Sequence, residues 1–283
     1  IGLTIVGFGT SAPEIIVSAS AAAQGLTAMA VGNAIGSNIA NIGLVLGTTA
    51  LLCPISSATS GALRKEIFVL VLLTPATLLL FLDNRLDQSD GVLLLIGLIA
   101  FLAWITRTGM QASKDSALTR ELPEDIPGGM SLQASLVWLA IGLAMLIVGA
   151  NVLVMGAENL ARSLGISDLV IGLTIVAVGT SVPELAVSIV SAVKKEWGIA
   201  IGNIIGSNIF NLLAVIGVAG VIQPADMEPS VLNLHYPIMI ALTLVVLRIA
   251  YNPFGKPGFG WPTGIFLLGA FTAYQAMLLS GNL

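Results

Sequence analysis

The chain has 283 residues, of which 56% are hydrophobic and only 9% charged, with a formal net charge of −4. Soluble domains carry roughly a quarter charged residues, so this composition excludes a soluble globular fold and leaves no basic patch for nucleic acid. The single cysteine, Cys53, excludes an internal disulfide framework.

Long apolar runs with short charged breaks describe an all-α, polytopic membrane protein, and the mean hydropathy of +0.99 agrees. In chain order, spans are predicted at 1–24, 27–53, 66–82, 90–107, 132–156, 168–193, 197–222, 231–249 and 259–280. The stretch 108–131 carries Lys114, Asp115, Arg120, Glu121, Glu124 and Asp125 together with Pro123, Pro127 and a Gly128-Gly129 pair. It is expected to be an exposed linker between an N-terminal half, 1–107, and a C-terminal half, 132–283. Residues 157–167 are expected to form a short interfacial turn from which Arg162 reaches headgroups.

Alternating sides span by span puts Arg64, Lys65, Arg107, Lys114, Arg120, Lys194, Lys195, Arg248 and Lys256 on one face. Only Arg85 and Arg162 fall on the other. The basic face is the cytoplasmic one, which makes the linker cytoplasmic and the C-terminus periplasmic or extracellular.

Residues 1–41 recur without gaps at 171–211, with 23 of 41 aligned positions identical by direct comparison. Equivalent points in the two copies lie five spans apart, so the copies cross the membrane in opposite senses, the inverted repeat of many secondary transporters. A full span precedes the second copy and none precedes the first. The repeat therefore predicts one further helix, within about 40 residues, ahead of residue 1.

Two motifs carry the polar groups of each copy. Gly9-Thr10-Ser11-Ala12-Pro13-Glu14 is matched by Gly179-Thr180-Ser181-Val182-Pro183-Glu184. On a helix Thr10, Ser11 and Glu14 face one direction. Pro13 and Pro183 remove a backbone donor four residues beyond Gly9 and Gly179, so each helix is expected to kink and release carbonyl oxygens. Such a break is tolerated at membrane depth only where it faces protein or a wet cavity.

The second motif runs from Gly32-Asn33 through Gly36-Ser37-Asn38 to Asn41, matched by Gly202-Asn203, Gly206-Ser207-Asn208 and Asn211. Asn33, Ser37 and Asn41 stack on one helix face, and the glycine pairs permit close helix approach. Asn38 and Asn208 read equally well as helix–helix glue or as site residues. Every Lys and Arg falls in a loop or at a span end. Glu14 and Glu184 thus lack a cationic side-chain partner within the membrane, where a charge costs about 2.5–3.5 kcal/mol on insertion scales; either they are protonated, or a bound ion supplies the counter-charge, or they alternate between these states. Hard oxygen donors around two carboxylates suit Na⁺, Ca²⁺ or Mg²⁺, and no His/Cys cluster exists for softer metals. The only histidine, His235, is expected near a span end without a special role; Glu158, near the end of a span, reads as an anchor or a gate, and the remaining carboxylates as solvated loop or interface residues.

These paired motifs resemble the two alpha repeats of the calcium/cation antiporter superfamily, above all its bacterial sodium/calcium exchangers. The resemblance implies a 5+5 inverted-repeat fold of ten helices, here without the first. Spans 1–24, 27–53, 168–193 and 197–222 would enclose the cation sites. It implies Glu14 and Glu184 as principal Ca²⁺ ligands shared with Na⁺, backbone carbonyls of Thr10 and Thr180, and hydroxyls of Ser11, Ser181, Ser37 and Ser207. Gly7 and Ala177 match carbonyl ligands of outer sodium sites, and Asn41 and Asn211 match the remaining polar corners. Some relatives carry an aspartate at one of those corners. With asparagine at both, the site holds at most two negative charges, enough for one Ca²⁺ or two Na⁺. In the family the first helix and the equivalent of 132–156 slide against the core to switch access.

The expected activity is therefore Na⁺/Ca²⁺ antiport across the bacterial inner membrane by alternating access at a two-glutamate midplane site, with no resident cofactor and no enzymatic chemistry. Ca²⁺/H⁺ or Na⁺/H⁺ antiport is the alternative within transport, and a cation channel the alternative outside it. No membrane aspartate pair or Ser/His dyad supports an intramembrane protease.

Overall fold

The computed structural model describes residues 9–54, 61–115, 132–251 and 259–280. Apolar segments become helices because a chain in lipid must satisfy its backbone internally. In order these are α1 (Ala12–Ala23), α2 (Thr27–Leu52), α3 (Gly61–Leu78, continued as a 3₁₀ turn to Phe81), α4 (Gln88–Asp115) and α5 (Leu132–Leu164). A pair bent by 40° follows, α6 (Asp168–Thr180) and α7 (Val182–Val193), then α8 (Trp197–Ile222), α9 (Val231–Tyr251) and α10 (Trp261–Leu279). Among the described residues α2, α4, α8, α9 and α10 are long and apolar enough to cross a membrane, and α6–α7 becomes a sixth such span if taken together.

The expected all-α, multi-pass architecture holds, with four local corrections. Residues 157–164 are not a separate turn but the last part of α5. Ala150, Val154, Ala157 and Ala161 continue one apolar stripe against Val17, Ala21 and Ala22 of α1, and the Glu158–Arg162 pair lies four residues apart along the helix. The predicted linker begins as helix, since α4 runs to Asp115; residues 116–131 lie outside the described region. Helix α3 starts at Gly61 rather than 66. Two short strands, β1 (Arg85–Leu86) and β2 (Ala225–Asp226), pair antiparallel and tie the α3–α4 loop to the α8–α9 loop.

The core lies around α2 and α8. Ile35, Ile39, Ile42, Ile204, Ile205 and Ile209 are fully buried between them and the flanking α3, α9 and α10. Glycine makes the closest approach. A Cβ on Gly32 would sit 2.5 Å from the Leu169 carbonyl, and one on Gly172 2.3 Å from that of Met29. The Gly32/Gly36 spacing is therefore the seam on which α2 meets α6. Further out, α4 meets α8 through Gly91 and Gly217, and α10 meets α2 through Gly264 and Gly47; in both cases a Cβ on the first glycine would stand 2.7 Å from the carbonyl of the second.

The turn after each repeat motif helix has the same shape. Gly25 closes α1 at φ +81°, and Lys195 closes α7 at φ +65°, each followed by an amide that reaches five residues back, Leu26 to Ala21 and Glu196 to Ser191.

Candidate cation site

Each polar motif is carried on a distorted helix. The regular helix of α7 starts after Ser181, and Pro183 brings no N–H to the Gly179 carbonyl. Helix α1 likewise starts at Ala12 with Pro13 in its first turn. In α2 and α8 the α-helix widens into a π-helical stretch that begins at Asn41 and at Asn211. Such bulges collect at functional sites because they break the regular backbone ladder.

The predicted site residues converge. Glu14, Ser11, Ser37, Asn41, Glu184, Ser207, Asn211 and Ala177 are buried, as are Thr10, Thr180 and Ser181. Gly7 lies outside the described residues. The Glu14 carboxylate neighbours Thr180 and stands in the field of Glu184; the Glu184 carboxylate neighbours Thr10, Ser207 and Ser11. Each glutamate thus faces a threonine from the other copy.

Hydrogen bonding explains this crossing. Thr10 donates to Asn203 Oδ1 at 3.0 Å, and Thr180 donates to Asn33 Oδ1 at 3.1 Å. The Asn33 amide donates to the Glu14 carbonyl at 3.4 Å and to Ser18 Oγ at 2.9 Å. Asn203 does the same to the Glu184 carbonyl at 3.4 Å and to Ser188 Oγ at 3.3 Å. Ser18 and Ser188 in turn donate to the carbonyls of Ala30 and Ala200. Ser37 and Thr180 hydroxyls are 3.3 Å apart, and those of Thr10 and Ser207 3.4 Å. In the sequence Asn33 belongs to a stacked polar face, while Ser18 and Ser188 carry no assigned role. Their identity in both copies was the available signal.

The groups aimed at the centre are left over. Both oxygens of Glu14, Oε2 of Glu184 and the hydroxyls of Ser11 and Ser181 are buried without a hydrogen-bond partner. Glu184 Oε1 accepts a bond from Ser207 at 3.4 Å. Neither carboxylate forms an ion pair with a described Lys or Arg; Arg85 pairs with Asp87 and Asp226, and Arg162 with Glu158, all on exposed or half-exposed side chains. Buried anionic oxygen without a donor or a counter-charge is unstable, and among the described residues no third acidic, His or Cys group joins them. A hard cation fits this donor set. The Ala177 carbonyl is different, because it already accepts from the Ser181 amide at 3.1 Å and the Thr180 hydroxyl at 3.3 Å.

One carboxylate departs from expectation. Glu66 is buried, 8% exposed, within α3 rather than solvated. His235 is buried as well, with Nδ1 3.0 Å from the Tyr274 hydroxyl across α9 and α10.

A buried polar centre shared by two copies of one helical unit is the architecture of a secondary transporter. The sequence model of the sodium/calcium exchanger protein family matches residues 1–107 and 134–280. The chain belongs to that family. It is 44% identical over 280 residues to the putative antiporter CaxA of Alkalimonas amylolytica, covering 99% of this chain and 88% of CaxA. It is 38% identical to the inner membrane protein YrbG of Escherichia coli (strain K12), covering 98% and 85%. A solved structure of the sodium-calcium exchanger NCX_Mj, soaked with 2.5 mM Na⁺ and 10 mM Sr²⁺, superposes with a TM-score of 0.70 at 34% identity, covering 97% of this chain and 85% of that one.

Proposed function

We propose that this protein is a secondary active antiporter that exchanges Na⁺ for Ca²⁺ across the bacterial inner membrane, with a linker on the cytoplasmic side. The observation that carries this reading is the set of unpartnered buried oxygens on Glu14, Ser11, Glu184 and Ser181. Two carboxylates balance one Ca²⁺ or two Na⁺, so loading either ion removes the charge that would hold the other. Ser37, Ser207, Thr10 and Thr180 supply hydroxyls or carbonyls around them, and Asn41 and Asn211 close the remaining corners. Gly7 and Ala177 are carbonyl ligands of outer Na⁺ positions. Because the Thr180 hydroxyl donates to the Ala177 carbonyl, Na⁺ there competes with that bond.

Transport follows from the inverted relation of 1–107 and 132–283: the same site is exposed to one side and then the other as the halves rock or slide. The test is Ca²⁺ uptake into proteoliposomes under imposed Na⁺, K⁺ and H⁺ gradients. Uptake is expected to follow the Na⁺ gradient with the pH gradient collapsed, and to vanish in Glu14→Gln and Glu184→Gln. Flux that persists in either variant, or that needs only the pH gradient, overturns the reading.

A further inference from the structure

The asparagine bonds to the glutamate carbonyls, to Ser18 and Ser188 and from the two threonines are mirrored between the copies, but those of the asparagine layer that begins one turn away are not. There the Asn41 amide donates to Asn208 Oδ1 at 3.0 Å, and the Asn38 amide donates to the Asn208 carbonyl at 3.3 Å. The repeat makes Asn211 equivalent to Asn41 and Asn208 equivalent to Asn38. The mirror set would therefore be Asn211 to Asn38 Oδ1 and Asn208 to the Asn38 carbonyl. Neither bond is made. Asn211 Nδ2, Asn208 Nδ2 and Asn38 Oδ1 are all buried without a partner, in residues no more than 1% exposed. These are the side-chain atoms the mirror set requires.

The bonds that do form have a consequence for the site. With its amide nitrogen held by Asn208, Asn41 keeps Oδ1 unpartnered and fixed in direction, ready to face a cation. Asn211 has neither atom bonded, so nothing fixes which atom it presents. Asparagine stands at both positions in both copies, so the difference does not come from the residue types themselves.

We propose that Asn208 and Asn38 are positioning residues that take turns: Asn208 orients Asn41 when the site is open to one side of the membrane, and Asn38 orients Asn211 when it is open to the other. This rests on the antiport reading above. Alternating access moves one repeat against the other; where both copies carry the same asparagines, a contact made in only one copy then marks one of the two states and its absent mirror the second. The competing origin is Met239, whose Sδ accepts from Asn38 at 3.5 Å and biases the layer from outside the repeat motifs.

The experiment measures half-saturating Ca²⁺ for Na⁺-driven flux from each side of vesicles in which the full chain has a known orientation. Asn208→Ala is expected to weaken Ca²⁺ about threefold to tenfold on one side only, the worth of one buried hydrogen bond. Asn38→Ala is expected to do so on the opposite side only. Adding Asn208→Ala to Asn41→Ala costs nothing more on that side, and Met239→Leu leaves the sidedness in place. Equal shifts on both sides, additive double variants, or loss of sidedness in Met239→Leu each overturn the proposal. If the unsubstituted protein carries no Na⁺-driven Ca²⁺ flux, the antiport reading fails by itself. Double-mutant cycles on thermal unfolding then decide the pair: coupling of Asn41 with Asn208 and none of Asn211 with Asn38 is expected, and coupling of both or neither overturns it.

Discussion

Thr180 and Asn33 lie 147 positions apart, yet the threonine hydroxyl donates to the asparagine oxygen at 3.1 Å, and Thr10 repeats this with Asn203 at 3.0 Å. The same Asn33 amide holds the Glu14 carbonyl and Ser18. One carboxamide therefore links the two copies and sets where a carboxylate starts.

Removing that carboxamide is expected to be costly. Asn33→Ala withdraws the acceptor of Thr180 and Ser37 and the donor to Ser18, all buried. Each lost hydrogen bond is worth about 0.5–1.5 kcal/mol, so a loss of about 2 kcal/mol or more is expected. Thermal unfolding in detergent checks this, with Asn203→Ala expected to match.

Ligand-linked stability separates the carboxylates from their scaffold. Ca²⁺ at a hundred times its dissociation constant is expected to stabilise the protein by about 2.7 kcal/mol. Glu14→Gln and Glu184→Gln are expected to lose most of that shift while unfolding no earlier than the parent in cation-free buffer, because each removes a buried charge without a counter-ion. Thermal scans with and without Ca²⁺ read both effects, and early unfolding without cation counts against the unpaired-charge account.

Glycine positions divide by what surrounds them. In Gly36→Ala the new Cβ would stand 2.7–2.8 Å from Ala177 and Leu173, forcing α2 from α6 at a cost of about 1–3 kcal/mol. Gly149 on α5 is exposed and has nothing within 4 Å. Gly149→Ala is expected to be neutral or to stabilise by up to about 1 kcal/mol. Parallel unfolding of the two variants distinguishes them.

The turn after α7 uses a lysine where its counterpart uses glycine. At φ +65° a Cβ is strained, so Lys195→Gly is expected to stabilise by about 1 kcal/mol. Gly25→Lys, placed at φ +81°, is expected to destabilise by a similar amount in the same unfolding assay.

The helices were legible because each depends on its own composition. The spans at 27–53, 197–222 and 231–249 fall within two residues of the observed helices at each end. The errors came where neighbours decide. The end of α5 looked like an interfacial turn by polarity, but its alanine stripe against α1 continues the helix. Glu66 looked solvated by its place at a span end, while α3 packs it inward to 8% exposure. The strand pair at Arg85–Leu86 and Ala225–Asp226 joins loops that no local pattern connects.

Of the site, the repeat itself singled out the glutamates, serines, threonines and corner asparagines, because a polar group written twice in an apolar chain stands out. Ser18 and Ser188 were written twice as well, but a lone serine in a helix has many uses, and its role emerges only when Asn33 or Asn203 bonds it.

By itself the sequence determined that the chain is a bundle of apolar helices with two copies of one polar unit, since hydropathy and repetition are properties of the chain alone. Only the tertiary structure decided that each glutamate faces the threonine of the other copy, and that Asn41 is held while Asn211 is not. Those relations depend on how helices far apart in sequence pack, and two identical motifs cannot state how their environments differ.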